Sequence, residues 1–147
     1  MENRAPILAA WFGAILAIQG CGDAPGPGVT ATVHISQALA ADTGSLSFYV
    51  VAPRLDDGVV LTCGALTFAD VPIGDPRIVI LGQADLAFTD PAARELRIED
   101  VKAGKDRLVY GEGFDRTGVR NSAGCVGEVE IPTGGVAEVE LILYPVN

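Results

Sequence analysis

From Val29 onward the chain alternates apolar and polar residues over short stretches separated by turn residues. "VTATVHI" sets Val29, Ala31, Val33 and Ile35 on one side and Thr30, Thr32 and His34 on the other. A period of two marks a strand with one buried face. By the same logic "SLSFYVVA" buries Leu46, Phe48 and Val50, and "RELRIEDV" buries Leu96 and Ile98. "DRLVYGEGFD" groups Leu108, Tyr110 and Phe114. In "VVLTCGAL" Val59, Leu61, Cys63 and Ala65 share a face. In "CVGEVEI" Cys125, Val129 and Ile131 do so, with Glu128 and Glu130 opposite. "RIVILG" is continuously apolar, as in a strand covered on both faces. "VAEVELILY" turns Ala137, Val139, Leu141 and Leu143 inward and Glu138 and Glu140 outward. Turn chemistry lies between these runs, at Asp57-Gly58, at Asp115 to Gly118 and at Thr133-Gly134-Gly135. No long stretch after Gly22 has a period of 3.6 residues, although residues 87–95 have room for one helical turn. The pattern predicts an all-β domain, a single antiparallel two-sheet sandwich of about seven strands.

The N-terminus breaks this pattern. Ile7 to Ile18 is an uninterrupted apolar run preceded by Arg4 and followed by small Gly20 and then Cys21. Spanning a bilayer as a helix takes about 20 such residues, so the shorter run reads as a cleaved export signal helix. "GDAPGPGVT" follows Cys21, and its Gly and Pro carry no large side chains to bury, as suits an extended tether. The expected organisation is a signal peptide at 1–20, a tether at 21–28 and a β domain at 29–147.

Ile18-Gln19-Gly20-Cys21 resembles the lipobox of bacterial lipoproteins, with an apolar residue at −3, a small one at −1 and the cysteine. Gln19 stands where a small residue is usual. The resemblance implies diacylglycerol on the Cys21 sulfur, cleavage after Gly20 and acylation, palmitate included, of the new amino group. More than one acyl chain gives stable anchoring. Gly22 rather than Asp after the cysteine points to the outer membrane under the enterobacterial sorting rule, and Asp23 follows one position later.

With Cys21 lipidated, Cys63 and Cys125 remain. Export places them in an oxidising compartment, where an isolated pair forms a disulfide. Both are expected to point to the apolar side of strands in facing sheets. Closing a loop of about sixty residues stabilises by roughly 4 kcal/mol in the chain-entropy model. No C-x-x-C occurs, and two cysteines without a nearby histidine make a poor zinc site.

The segment from Val101 to Tyr144 resembles the C-terminal half of small β-sandwich lipoproteins abundant in myxobacteria. The likeness rests on Gly104 to Leu108, Phe114-Asp115 to Gly118, Gly124-Cys125 and Val139 to Leu143. It also resembles transthyretin-like domains of the carboxypeptidase-regulatory kind. The resemblance implies an Ig-like or transthyretin-like sandwich in the envelope and no defined activity.

The formal net charge is -9, with only two lysines, Lys102 and Lys105. That excludes the clustered base needed to grip nucleic acid and adhesion to anionic lipid by charge alone. Candidate chemistry is sparse. "ADTGS" resembles the Asp-Thr-Gly motif of aspartic proteases, with Asp42 in the catalytic place and "VILG", Val79 to Gly82, a loose echo of the supporting segment. The motif occurs once, its Asp follows no apolar strand, and the same residues are ordinary turn chemistry. His34 is the only histidine and is expected to face solvent. No Gly-x-Ser-x-Gly elbow, phosphate cradle or EF-hand loop occurs. Asp56, Asp57, Asp70, Asp75, Asp85 and Asp90 fall in or near expected loops, where several together could bind Ca²⁺. Trp11 lies in the signal and aromatics are few, which tells against a stacking platform for sugars. The expected function is a non-enzymatic, envelope-anchored lipoprotein that binds a protein or glycan or serves an envelope assembly. It has no cofactor and no catalytic or metal-binding residues. The alternative is a Ca²⁺- or carbohydrate-binding module, and the remote one is an Asp42 protease.

Overall fold

A computed structural model describes residues 26–89 and 95–147. The signal peptide, Cys21, most of the tether, Asp90 and most of the expected helical turn at 87–95 lie outside the described residues. Seven strands and two short helices follow in the order β1 (Gly28–Ile35), α1 (Gln37–Asp42), β2 (Thr43–Val51), α2 (Cys63–Thr67), β3 (Ile80–Ala87), β4 (Glu95–Ile98), β5 (Gly104–Asp115), β6 (Arg120–Ile131) and β7 (Val136–Pro145).

The all-β expectation holds, and the alternating residues of β1, β2, β4 and β7 occupy the faces expected of them. Val29, Ala31, Val33, Ile35, Leu46, Phe48, Val50, Ile98, Leu141 and Leu143 are all buried. The layers differ from two separate sheets. The strands form one sheet in the order β3-β2-β5-β6-β7-β1-β4. Every neighbouring pair is antiparallel except β1 and β7, which run parallel from Gly28↔Val136 to Ile35↔Leu143.

The sheet curls until its two halves face each other. A Cβ at Gly111 of β5 would meet Phe48 of β2 at 2.9 Å and Leu141 of β7 at 2.7 Å, so the bare backbone there admits side chains from both sides. At the seam, Gly82 of edge strand β3 abuts Val101 and Ile98, just beyond and at the end of edge strand β4. The result is nearly a barrel. Bulges supply the curvature. Between Val109↔Val126 and Arg107↔Val129 the register of β6 slips by one residue. There Glu128 adopts φ 57°, in the left-handed region.

That bulge corrects one expectation. Val129 and Ile131 belong to the inner core, whereas Cys125 packs with Ala123 and Tyr110 on the outer face. Uninterrupted alternation would have kept them together. The outer face carries a second core because residues 52–79 fold back over β5 and β6. Leu55, Leu61, Leu66 and Ile78 are buried there against Val51, Leu108 and Tyr110.

Two further strand expectations are corrected in that crossing segment. "VVLTCGAL" is not a strand, so Cys63 does not lie in a facing sheet. It opens helix α2, whose N-cap Thr62 accepts a hydrogen bond from Ala65 N–H at 3.2 Å. One capped turn is too short to show a helical period. "RIVILG" is only half strand. It leads into an edge strand, with Ile80 43% exposed, rather than one covered on both faces. The expected disulfide is present: Cys63 and Cys125 are bonded, with Cα atoms 5.4 Å apart. It fastens helix to strand rather than sheet to sheet.

Candidate functional site

The two cysteines hold α2 on the outer face of β6, and the end of that helix borders a cleft on the surface. Arg120, the first residue of β6, reaches under the end of the helix. Its Nη2 donates to Thr67 O at 3.0 Å and to the Tyr110 hydroxyl at 2.8 Å, while Nε lies 3.2 Å from Glu112 Oε2. Glu112 is buried, and burial pushes its carboxyl pKa up despite the attraction of Arg120. Burial likewise raises the Tyr110 phenol. This polar cluster is the floor on which the helix end rests.

Phe68 caps the C-terminus of α2, and its N–H donates to Gly64 O at 2.9 Å. The next residue, Ala69, turns the chain with φ 59°. The Phe68 ring is left 79% exposed. Across from it, Tyr144 near the end of β7 is 58% exposed and pairs through its backbone with Ala123. Val146 N–H donates to Asn121 O at 3.0 Å and holds the segment beyond β7 in place. Phe68, Thr67, Arg120, Tyr144, Pro145 and Val146 line a cleft of about 450 Å³. A second hollow of about 350 Å³ lies on the other side of Tyr144 and Pro145, against His34 and Ile142.

The residues singled out in the sequence are elsewhere or spoken for. Asp42 is the exposed last residue of α1 and shares a shallow hollow with Asp115 and Asn121. The Asp115 carboxylate accepts from Thr117 Oγ1 at 2.7 Å, from Thr117 N–H at 2.8 Å and from Val119 N–H at 2.9 Å, and the Thr117 hydroxyl first of all holds its pKa low. A carboxylate so committed to its own turn is a poor partner for a shared proton. Thr43 donates to Leu39 O at 2.8 Å and joins helix to strand. Gly82 pairs near the far end of β2, opposite Val50, so "VILG" does not back the Asp42 turn. His34 lies on the expected outward side of β1 but is mostly covered rather than solvent-facing, and its Nε2 is buried without a hydrogen-bond partner.

The acidic loops are knit together by an arginine. Arg77 bonds Asp75 at 2.8 Å and Asp57 at 3.2 Å, and its hydrogen bonds draw the Asp75 pKa down to about 2. Asp85 accepts from the Ser47 hydroxyl at 2.7 Å. Among the described residues no group of three or more His, Cys, Asp or Glu is placed to hold a metal ion. No helix among them is long and apolar enough to cross a membrane.

Comparisons with protein-family models, with curated proteins and with solved structures give no match. The Phe68–Tyr144 cleft was missed in the sequence. "LTFADV" and "LILYPV" place their aromatics where alternation or a loop makes them unremarkable, and they meet only because a crossing segment folds back over the sheet.

Proposed function

We propose that this chain is a non-enzymatic lipoprotein of the cell envelope, held in the outer membrane through lipid on Cys21, and that its β domain is a binding or accessory module. The observation that carries this reading is the polarity of the domain. Gly28, seven residues beyond Cys21, enters the sheet opposite Val136, at the end where β1 and β7 both begin. The aromatic cleft lies where β7 ends. At about 3.3 Å per strand residue, the two poles are separated by about 26 Å. A tether at one end leaves the cleft free at the other. The oxidised Cys63–Cys125 pair agrees with export to an oxidising compartment.

The test is the intact mass of the protein from the membrane fraction, before and after reduction and alkylation. The expected species starts at Cys21, carries acyl mass and takes up two alkyl groups only after reduction. A chain starting at Met1, without lipid and with every thiol free, would overturn the reading.

A further inference from the structure

We propose that the end of α2 is a pH-sensitive flap, docked on the sheet while Glu112 is protonated and released as Glu112 ionises. The two ends of this helix are held differently. Cys63 at its start is bonded to Cys125 of β6. The other end is held by Arg120 Nη2, which donates to Thr67 O at 3.0 Å, and by Leu66 in the outer core. Just beyond, the chain turns at Ala69 with φ 59°. A helix of five residues has no stability of its own, so an end that leaves the sheet also unwinds.

Glu112 is only 5% exposed, and Arg120 bridges it to the helix carbonyls. The attraction between Glu112 and Arg120 is not what the flap changes. They stand on the neighbouring strands β5 and β6, so it persists when the helix end leaves. What changes is burial, because release opens the outer core around Tyr110 to water. A carboxylate resists burial far more than a neutral carboxyl does. Docking therefore favours the proton, in keeping with the upward pull of burial on the Glu112 pKa. By linkage, the proton favours docking.

The other groups around Glu112 do not reverse this sign. On β2, Ser47 stands opposite it, and Tyr49 is a neutral phenol with a raised pKa. On β3, Asp85 is bonded to Ser47 and adds negative charge, which disfavours a second carboxylate in both states. Tyr110 on β5 is neutral and Arg120 on β6 is a cation throughout, while α2 contributes the carbonyls of Leu66 and Thr67. The cleft is then complete at acid pH and loses its Phe68 wall as pH rises.

The test is amide hydrogen exchange on the full chain, corrected for its intrinsic pH dependence, from below pH 4.5 to neutrality. The N–H groups of Phe68, Ala69 and Val71 donate to Gly64 O, Leu66 O and Ala65 O and report the opening. Their protection is expected to fall about three- to tenfold as pH rises, and to stay below that of β1 and β7, as a local opening requires. Glu112→Gln is expected to keep the low-pH protection throughout. Asp70→Asn, which removes an exposed acid just beyond the helix, is expected to behave as the wild type. Protection that is flat with pH overturns the proposal, as does protection equal to that of β1 and β7. So does a Glu112→Gln chain that loses protection like the wild type, or an Asp70→Asn chain that has lost the pH dependence. Should the Gln variant fail to fold, an NMR titration of the wild-type Glu112 carboxyl takes its place, and a midpoint away from that of the exchange profile overturns the proposal.

Discussion

At the scale of single residues, Glu112 shows how burial and charge compete. Its carboxylate has Arg120 Nε at 3.2 Å and the Tyr110 hydroxyl at 3.5 Å, yet the side chain is nearly shut off from water. Burial wins, and the pKa lies above the ordinary 4.5. The folded protein therefore holds this proton more tightly than the unfolded chain. The stability it contributes is full below pH 4.5 and is lost as pH rises through the raised pKa. Glu112→Gln keeps an acceptor for Arg120 and removes the titration. Its melting temperature relative to the wild type is expected to climb as pH is raised from below 4.5 toward neutrality. A difference that stays flat across that range contradicts the assignment. Asp75 works in the opposite sense and in a lower window. Its pKa is depressed, so its contribution is present above 3.8 and disappears as pH falls toward 2.

At the scale of elements, α2 is the piece whose position depends most on covalent chemistry. A helix of five residues has no independent stability. It is held by Leu66 in the outer core, by Arg120 and by the Cys63–Cys125 bond. Replacing both cysteines by serine is expected to cost about 2–4 kcal/mol in chemical denaturation. Faster hydrogen exchange should appear first in residues 52–79, while β1 and β7 keep their protection. Uniform loss across the sheet would show instead that the bond supports the whole fold. The same elements mark what was legible in the sequence. Strands with one face in the core, such as β1 and β7, are readable because burial selects every second side chain. α2 was not, because one capped turn has no period. The changed face of Cys125 was not, because one extra residue near Glu128 reverses the alternation without a Gly-Pro signal of its own. The pairing of Cys63 with Cys125 was legible from compartment and count alone, though the elements they join were not. The candidate cleft was hidden for a different reason. Exposure of Phe68 and Tyr144 is a property of the assembled surface, and no local pattern encodes it.

At the scale of the whole molecule, the single curled sheet depends on a few places where the backbone has no side chain to spare. Gly111 is the clearest, since Phe48 and Leu141 close over it from opposite halves of the sheet. Gly111→Ala is expected to destabilise the domain by about 1–3 kcal/mol. Gly134→Ala, in a turn with nothing within 4 Å of the added carbon, is the matched control and should leave the unfolding midpoint unchanged. Equal midpoints for the two variants would mean that the halves do not pack through Gly111.

The parallel pairing of β1 with β7 has a mechanical consequence. A force applied to the segment before Gly28 and to Tyr144 pulls at the beginning of β1 and at the end of β7. These are opposite ends of neighbouring parallel strands. Force along that line does not peel the ladder open one bond at a time. It slides one strand against the other and loads the pairs from Gly28↔Val136 to Ile35↔Leu143 together. Shear of this kind is the direction in which a β ladder resists most, so a domain pulled between these two points keeps its fold under tension.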